Sequence, residues 1–317
     1  MKTVHVLYEN ADWLPPLTEA LASRGLDVVE HFIDGGSIDI SSPPPEGIFL
    51  NRMSPSSHTR GHQAGVVFMG EYLAWLESWG RRVINGSEAF ALEVSKVRQH
   101  AVLQSAAILT PKTIAVIGLE AMRDAARSLT PPFITKHNQG GKGLGVQLFS
   151  SHAALDATLD AGGYDNSPDS VNLLQQYIEP SEPFITRVEI VDGEFLYALR
   201  SSTEGGFELC PADACSIEDA FCPVGTQADS GKFGIRHDVT ADDPLVKRLI
   251  ALCRSHRIDV AGIEFVEDAH GNRYVYDING TTNFNSAVEA AHGFHGMGAI
   301  ADLCVRELDG LGAAAAR

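Results

Sequence analysis

Short apolar runs alternate with amphipathic stretches along the first ninety residues. Buried strands are predicted at 3–7, 27–32, 47–50 and 82–85, and helices at 14–24 and 68–78. Apolar runs of this length, separated by segments of helical period, are typical of a parallel sheet with crossover helices. The N-terminal part is therefore predicted to be a small parallel α/β unit, covering residues 1–92.

The pattern changes after this unit. One amphipathic helix is predicted over 91–106, followed by a strand from about 113, a helix at 119–129, a glycine-rich hairpin and a helix near 153. Strands then dominate, at 172–178, 184–191, 195–199, 260–266 and 273–278, with one helix at 244–256. The fold class is α/β with α+β parts. The predicted domains are 1–92, 93–172 and 173–317, and the tail 310–317 is expected to fray.

The stretch ITKHNQGGKGLGV, residues 134–146, contains four glycines between two strand-like segments. It is not a P-loop, since no Ser or Thr follows the lysine, and it lacks the third glycine and the helix of a dinucleotide fingerprint. Bare backbone N–H groups beside Lys136 and Lys142 form a nest suited to a polyphosphate. A mobile hairpin without ligand is the alternative.

The stretch GIEFVEDAHGNRYVYDING, residues 262–280, reads as a hairpin. A turn centred between His270 and Gly271 would place Glu264 directly opposite Asp277, with Asn279 on the same face. Opposed carboxylates repel and need a cation, and carboxylate and amide oxygens suit Mg²⁺ or Mn²⁺. The alternative is an exposed acidic face.

Composition narrows the possible partners. The net charge is −17, which argues against nucleic acid or an anionic membrane as a partner. The N-terminus lacks the apolar run of a signal peptide, and no apolar stretch is long enough to span a bilayer. Five cysteines do not make a disulfide framework, and Cys210, Cys215 and Cys222 lack zinc-site spacing. A reduced, cytoplasmic protein is expected.

Four motifs, in this order between about residue 48 and residue 305, resemble those of the ATP-grasp superfamily and within it the RimK-type and glutathione synthetase-like ligases. They are the helix carrying Lys96, the glycine stretch, LLQQYI at 173–178, and the two strands with Glu264 and Asp277. The resemblance implies a pre-ATP-grasp N-terminal domain and central and C-terminal subdomains that clamp ATP. Four features depart from the family pattern: Ser95 replaces an acidic residue, Gln176 stands where the hinge more often has a glutamate, Asp277 replaces a glutamate, and the segment after Asn279 differs.

The resemblance also implies site residues and cofactors. ATP would be held by Lys96, Lys136, Gly140, Gly141, Gly143, Gln175, Gln176, Tyr177, Ile178 and Glu182, and Mg²⁺ or Mn²⁺ by Glu264, Asp277 and Asn279. Lys136 and Arg187 are the expected catalytic groups, Arg187 facing the transferred phosphate.

The implied activity is ATP-dependent amide formation through an acyl phosphate, on small-molecule or peptide carboxylate and amine substrates. The candidate substrate residues are Arg52, Arg200, Arg236 and Asn283. The three arginines are candidates because arginine forks hold carboxylates. An ATP-grasp small-molecule kinase and an inactive nucleotide-binding regulatory protein are the alternatives, and a homo-oligomer stays open.

Overall fold

The predicted site residues lie on or beside three β-sheets. The computed structural model describes residues 2–141, 143, 145–203 and 232–315. The strands are β1 (Thr3–Tyr8), β2 (Asp27–Phe32), β3 (Ile48–Arg52), β4 (Val83–Ile84), β5 (Thr113–Ile117), β6 (Phe133–His137), β7 (Gln147–Phe149), β8 (Val171–Gln176), β9 (Phe184–Val191), β10 (Glu194–Ser202), β11 (Phe233–Ile235), β12 (Val260–Glu267) and β13 (Arg273–Asn279). The α-helices are α1 (Pro15–Ala22), α2 (Gln63–Ser78), α3 (Ser87–Glu93), α4 (Lys96–Ser105), α5 (Leu119–Ala126), α6 (His152–Asp160), α7 (Pro244–Ser255), α8 (Ser286–His292) and α9 (Gly296–Ala315).

The first sheet is the predicted parallel unit. Its four strands lie in the order β2-β1-β3-β4, and every pair is parallel. All five residues of β3 are buried, as expected for a central strand covered on both faces. The segment after β3 therefore emerges at the carboxyl edge of the sheet, where open α/β sheets bind ligands.

The second and third sheets are antiparallel. The second has the order β5-β8-β6-β7, and the glycine stretch connects β6 to β7. The third has the order β11-β10-β9-β12-β13. The mixed α/β class predicted from sequence is confirmed. Strand β8 lies in the second sheet and ends at Gln176, beyond the domain boundary predicted at residue 172.

The hairpin of β12 and β13 pairs Glu264 with Asp277 as predicted, but the turn and the register differ from those predicted. The turn is centred on His270, because Asp268 N donates to Asn272 O at 3.0 Å. That centre alone would not bring Glu264 opposite Asp277. A β-bulge adds Tyr276 to β13 and shifts the ladder by one residue, so that Glu264 does pair with Asp277.

Two sequence expectations are wrong. The single helix predicted over 91–106 is two helices, α3 and α4, because Ser95 takes an extended backbone conformation and its hydroxyl caps Arg98 N. Of the tail predicted to fray, 310–317, the described residues 310–315 belong to α9. Helix α9 packs on the first sheet, in one apolar cluster with residues of β1 and α1.

Candidate functional site

One cavity is lined by residues of the second and third sheets and by Ser54, Pro55 and Ser56, which follow β3 of the first sheet. The predicted residues that it brings together are Lys96, Lys136, Gly140, Gly141, Gly143, Gln175, Gln176, Tyr177, Ile178, Arg187, Glu264, Asp277, Asn279 and Asn283. The third sheet presents one face to this cavity and packs its other face on α7. The alternation of side chains along β9, β12 and β13 separates the polar site from that apolar core.

The two lysines reach the carboxylates from different elements. Lys96 is the first residue of α4, and its Nζ donates to Asp277 Oδ1 at 2.8 Å and to Gly140 O at 3.1 Å. Lys136 lies on β6, with its Nζ 3.3 Å from Tyr276 O and 5.6 Å from the centroid of the Tyr276 ring. Burial, together with the positive charge of Lys96, lowers the pKa of Lys136 to about 7.

The facing carboxylates have opposite pKa shifts. Burial raises the pKa of Glu264, and the nearby Arg187 only partly offsets it. Burial also acts to raise the pKa of Asp277, but the charges of Lys96 and Lys136 outweigh it and the pKa is lowered. The surrounding cations therefore offset the repulsion between the two carboxylates.

The donor set suits a hard divalent cation. Asn279 Nδ2 donates to Gly262 O at 3.3 Å, and Oδ1 of the same amide accepts no hydrogen bond from the described residues. A carboxylate pair with an adjacent amide oxygen free to coordinate is the kind of set that Mg²⁺ prefers. No group of three His, Cys, Asp or Glu side chains able to hold a metal occurs in the described residues, so a metal here would need this amide.

Arg187 is the centre of a buried network. Its Nη1 donates to Glu264 Oε1 at 2.9 Å and its Nε to Glu189 Oε1 at 2.8 Å. Its Nη2 donates to Thr282 Oγ1 at 2.7 Å, and that hydroxyl donates to Glu189 Oε2 at 2.9 Å. The sequence reasoning missed Glu189, although it lies two residues from Arg187 on one strand and therefore on the same face. The network fixes the orientation of Glu264.

Apolar walls at the other end of the cavity were also missed. The predicted segment 175–178 borders this end, and the residues that were missed are Pro111, Ile134, Ile185 and Val266. Each of these last three lies two residues along a strand from Lys136, Arg187 or Glu264, so the strand period could have found them. Gln175 Nε2 donates to Thr113 Oγ1 at 2.8 Å, and Gln176 N donates to Lys112 O at 2.8 Å.

His137 lies beneath the glycine stretch. Its Nε2 donates to Asp165 O at 3.0 Å, which fixes the ring. A Cβ on Gly145, where φ is +73°, would come within 2.5 Å of this ring. Glycine is therefore required at this position by both conformation and space.

Three predicted residues lie elsewhere. Glu182, Arg200 and Arg236 line a second cavity together with Thr186. Thr186 precedes Arg187 on β9 and points to the opposite face of the sheet. Arg236 forms a bidentate ion pair with Asp238, at 2.8 and 2.6 Å, and this pair lowers the pKa of Asp238 to about 2.

Arg52, predicted to hold a substrate carboxylate, does not line either cavity. Its guanidinium is buried and donates to Thr282 O at 2.8 Å and to Asn283 Oδ1 at 2.6 Å. The structure thus places Arg52 behind the cavity wall, in contact with the segment that follows β13.

Two further sequence expectations concern cysteines and membranes. Cys253 and Cys304 are buried free thiols, whereas Cys210, Cys215 and Cys222 lie outside the described residues. Among the described helices, none combines the length and the apolar character that crossing a bilayer requires.

Comparison with known proteins agrees with this geometry. Residues 94–210 match the family model for the RimK-like ATP-grasp domain. The fold resembles a RimK domain ATP-grasp protein from Sphaerobacter thermophilus DSM 20745, with 18% identity, a TM-score of 0.64, and coverage of 95% of this chain and 99% of that one. It also resembles D-cycloserine synthetase DcsG, with 20% identity, a TM-score of 0.65, and coverage of 95% and 99%.

A third similar structure is the ATP-grasp ligase PsnB complexed with minimal precursor, Mg and ADP. Identity is 15%, the TM-score is 0.62, and 96% of this chain and 97% of that chain are covered. No curated protein matches the chain. The chain thus has the ATP-grasp fold, and the match of residues 94–210 to the RimK-like ATP-grasp model confirms the resemblance seen in the sequence.

Proposed function

We propose that the protein is an ATP-dependent, ADP-forming carboxylate–amine ligase that makes an amide bond through an acyl phosphate. The observation that carries the proposal is one cavity with an apolar end beside 175–178 and a charged end of two lysines, two carboxylates and an amide. This arrangement fits adenine at one end and the phosphates at the other. The substrates proposed are an amino acid, a small peptide or a related metabolite.

The charged end suits phosphoryl transfer, which depends on positioning and on charge neutralisation. Lys136 is buried and, in the described part of the chain, has no ion pair, so its ammonium group is available to a phosphate. Lys96 is already paired with Asp277 and orients that carboxylate. Magnesium held by Glu264, Asp277 and Asn279 would neutralise further phosphate charge.

The glycine stretch reaches the first unit beside the charged end. Gly141 lies against Ser56 and Pro55 of the first unit, with 3.6 Å between the position of a Cβ and Ser56 Cβ. An acyl phosphate is susceptible to hydrolysis, so exclusion of water favours transfer to an amine. PsnB with Mg and ADP, and the synthetase DcsG, support this class of chemistry by their similar fold.

The test is ADP and phosphate release with Mg-ATP and pools of amino acids and dipeptides, with mass spectrometry for a product lighter by one water than its two inputs. We expect a condensed product. A phosphorylated product would indicate the kinase alternative, and stabilisation by Mg-ATP without any turnover would indicate the regulatory alternative.

Two substitutions test the site within this assay. Lys136→Ala and Asp277→Ala are expected to abolish turnover, because each removes a charge that the phosphates or the metal need, while the circular dichroism spectrum stays native. Lys247→Ala is the matched control, since Lys247 is solvent-exposed and paired with an exposed Asp242. Normal ADP formation by either site variant contradicts the assignment.

A further inference from the structure

The segment 280–283, which follows β13, is fastened to the first unit and to Glu93, the last residue of α3. The backbone N–H groups of Gly280 and Thr281 donate to the Glu93 carboxylate. Asn85 Nδ2 donates to Gly280 O at 2.9 Å, and Thr281 Oγ1 donates to Met53 O at 2.8 Å. A Cβ on Gly280 would come within 3.0 Å of both Asn85 and Glu93. The segment therefore has one tightly fitted position.

Arg52 completes the attachment at the far end of the segment. Its two terminal nitrogens bind Thr282 O and Asn283 Oδ1. Burial lowers the pKa of Arg52 to about 10, so the guanidinium is still charged at neutral pH. A charged donor with two fixed acceptors holds the Asn283 side chain in a defined orientation.

This contact determines which end of the Asn283 amide is free. A guanidinium can only donate, so the atom that it contacts must be the amide oxygen. Asn283 Nδ2 then has two N–H donors and no acceptor among the described residues. Because Asn283 lines the cavity, these donors are available to a bound molecule.

We infer that Asn283 donates a hydrogen bond to a carboxylate oxygen of a substrate, and that Arg52 is a positioning residue for Asn283 instead of a carboxylate ligand itself. The inference rests on the proposed ligase function. An N–H donor selects an oxygen acceptor and disfavours an ammonium group. The acceptor is the carboxylate to be activated or the carboxylate of the amine substrate, and kinetics for each substrate distinguish the two.

The test uses the two substrates found by the screen for condensed product. Asn283→Asp keeps the size and the contact with Arg52 but replaces the donor by a second oxygen. We expect it to raise KM about tenfold or more for one substrate, through repulsion of its carboxylate, with KM for ATP within about twofold of wild type. Arg52→Lys should raise KM for the same substrate, and the double variant should show less than the product of the two effects.

The control is Arg306→Gln, which removes a surface arginine paired with an exposed Asp192. An unchanged KM for both substrates in Asn283→Asp, or an equal rise in KM for ATP, overturns the inference. Hydrogen exchange of a peptide covering 278–285 tests the attachment without turnover. It should be faster in Arg52→Lys and unchanged in Arg306→Gln, and equal exchange in all three proteins contradicts the positioning role.

The two proposals fail in different ways. If the wild type yields no condensed product, the ligase function fails and the substrate contact of Asn283 fails with it, whereas hydrogen exchange still decides whether Arg52 fastens the segment. If product forms but Asn283→Asp behaves as wild type, only the inference fails.

Discussion

At the scale of single residues, Lys136 is a buried cation that the described residues leave without a carboxylate partner. Its pKa is lowered from 10.5 to about 7, mainly by burial and further by Lys96. A group with a lowered pKa in the folded state costs stability wherever the unfolded chain binds more protons. Between pH 7 and pH 10.5 the unfavourable contribution of Lys136 to stability should therefore decrease as the pH rises.

Lys136→Met removes this cost. In EDTA and without nucleotide, we expect the variant to be more stable than wild type at pH 7, on the order of a few kcal/mol. The difference should shrink as the pH approaches 10.5, where unfolded lysine also loses its proton. Urea unfolding at several pH values measures it, with Lys247→Met as the exposed control. A wild type more stable than Lys136→Met at pH 7 would contradict the prediction.

Arg187 presents the opposite case, a buried cation whose nitrogens are all engaged. Glu189 is 1% exposed and depends on Arg187 and Thr282 for its hydrogen bonds. Arg187→Met leaves this carboxylate without its cation, and we expect a loss of about 3–5 kcal/mol in the free energy of unfolding. The double substitution Arg187→Met/Glu189→Leu should recover part of that loss in urea unfolding. A fully stable Arg187→Met would show that the network does not support the fold.

At the scale of elements, the start of α4 is hydrogen-bonded to the segment that follows β6. Ser95 caps α4, and Asn138 after β6 accepts from Lys96 N and Val97 N. Ser95→Ala should lower the free energy of unfolding by about 1 kcal/mol and weaken binding of a non-hydrolysable ATP analogue, because Lys96 is the first residue of the helix. Ser95→Asp preserves the cap and is the control. If both variants bind the ATP analogue equally well, the cap at Ser95 does not contribute to nucleotide binding.

Bulges decided which element-level predictions succeeded. In the hairpin of β12 and β13, the turn is centred on His270 and not, as the sequence predicts, between His270 and Gly271. The bulge at Tyr276 shifts the register back, so the two differences cancel at Glu264 and Asp277. In the hairpin of β9 and β10, a bulge between Phe195 and Tyr197 pairs Arg200 with Thr186. Without that bulge Arg200 would pair with Ile185, which lines the cavity. Sequence period predicts faces but not the insertion that reverses them.

At the scale of the whole molecule, the two ends of the chain share one core. The predicted domains 1–92 and 173–317 do not describe this, because local pattern in a Gly/Ala-rich tail gives no sign of a distant partner. Ile300, Leu303 and Cys304 of α9 pack in one cluster with Val4 and Leu17. The C-terminal helix thus stabilises the sheet whose strand β3 carries Arg52, the residue that contacts Thr282 and Asn283.

This shared core predicts different effects for two leucines of the same helix. Leu303 is 1% exposed and Leu311 is 42% exposed. Leu303→Ala should lower the free energy of unfolding by about 2–5 kcal/mol, whereas Leu311→Ala should change it by less than about 0.5 kcal/mol. Hydrogen exchange should also become faster in β1 and α1 of Leu303→Ala, although both lie almost three hundred residues away in the sequence. Equal stability of the two variants, or unchanged exchange in β1, would mean that α9 does not hold the first sheet.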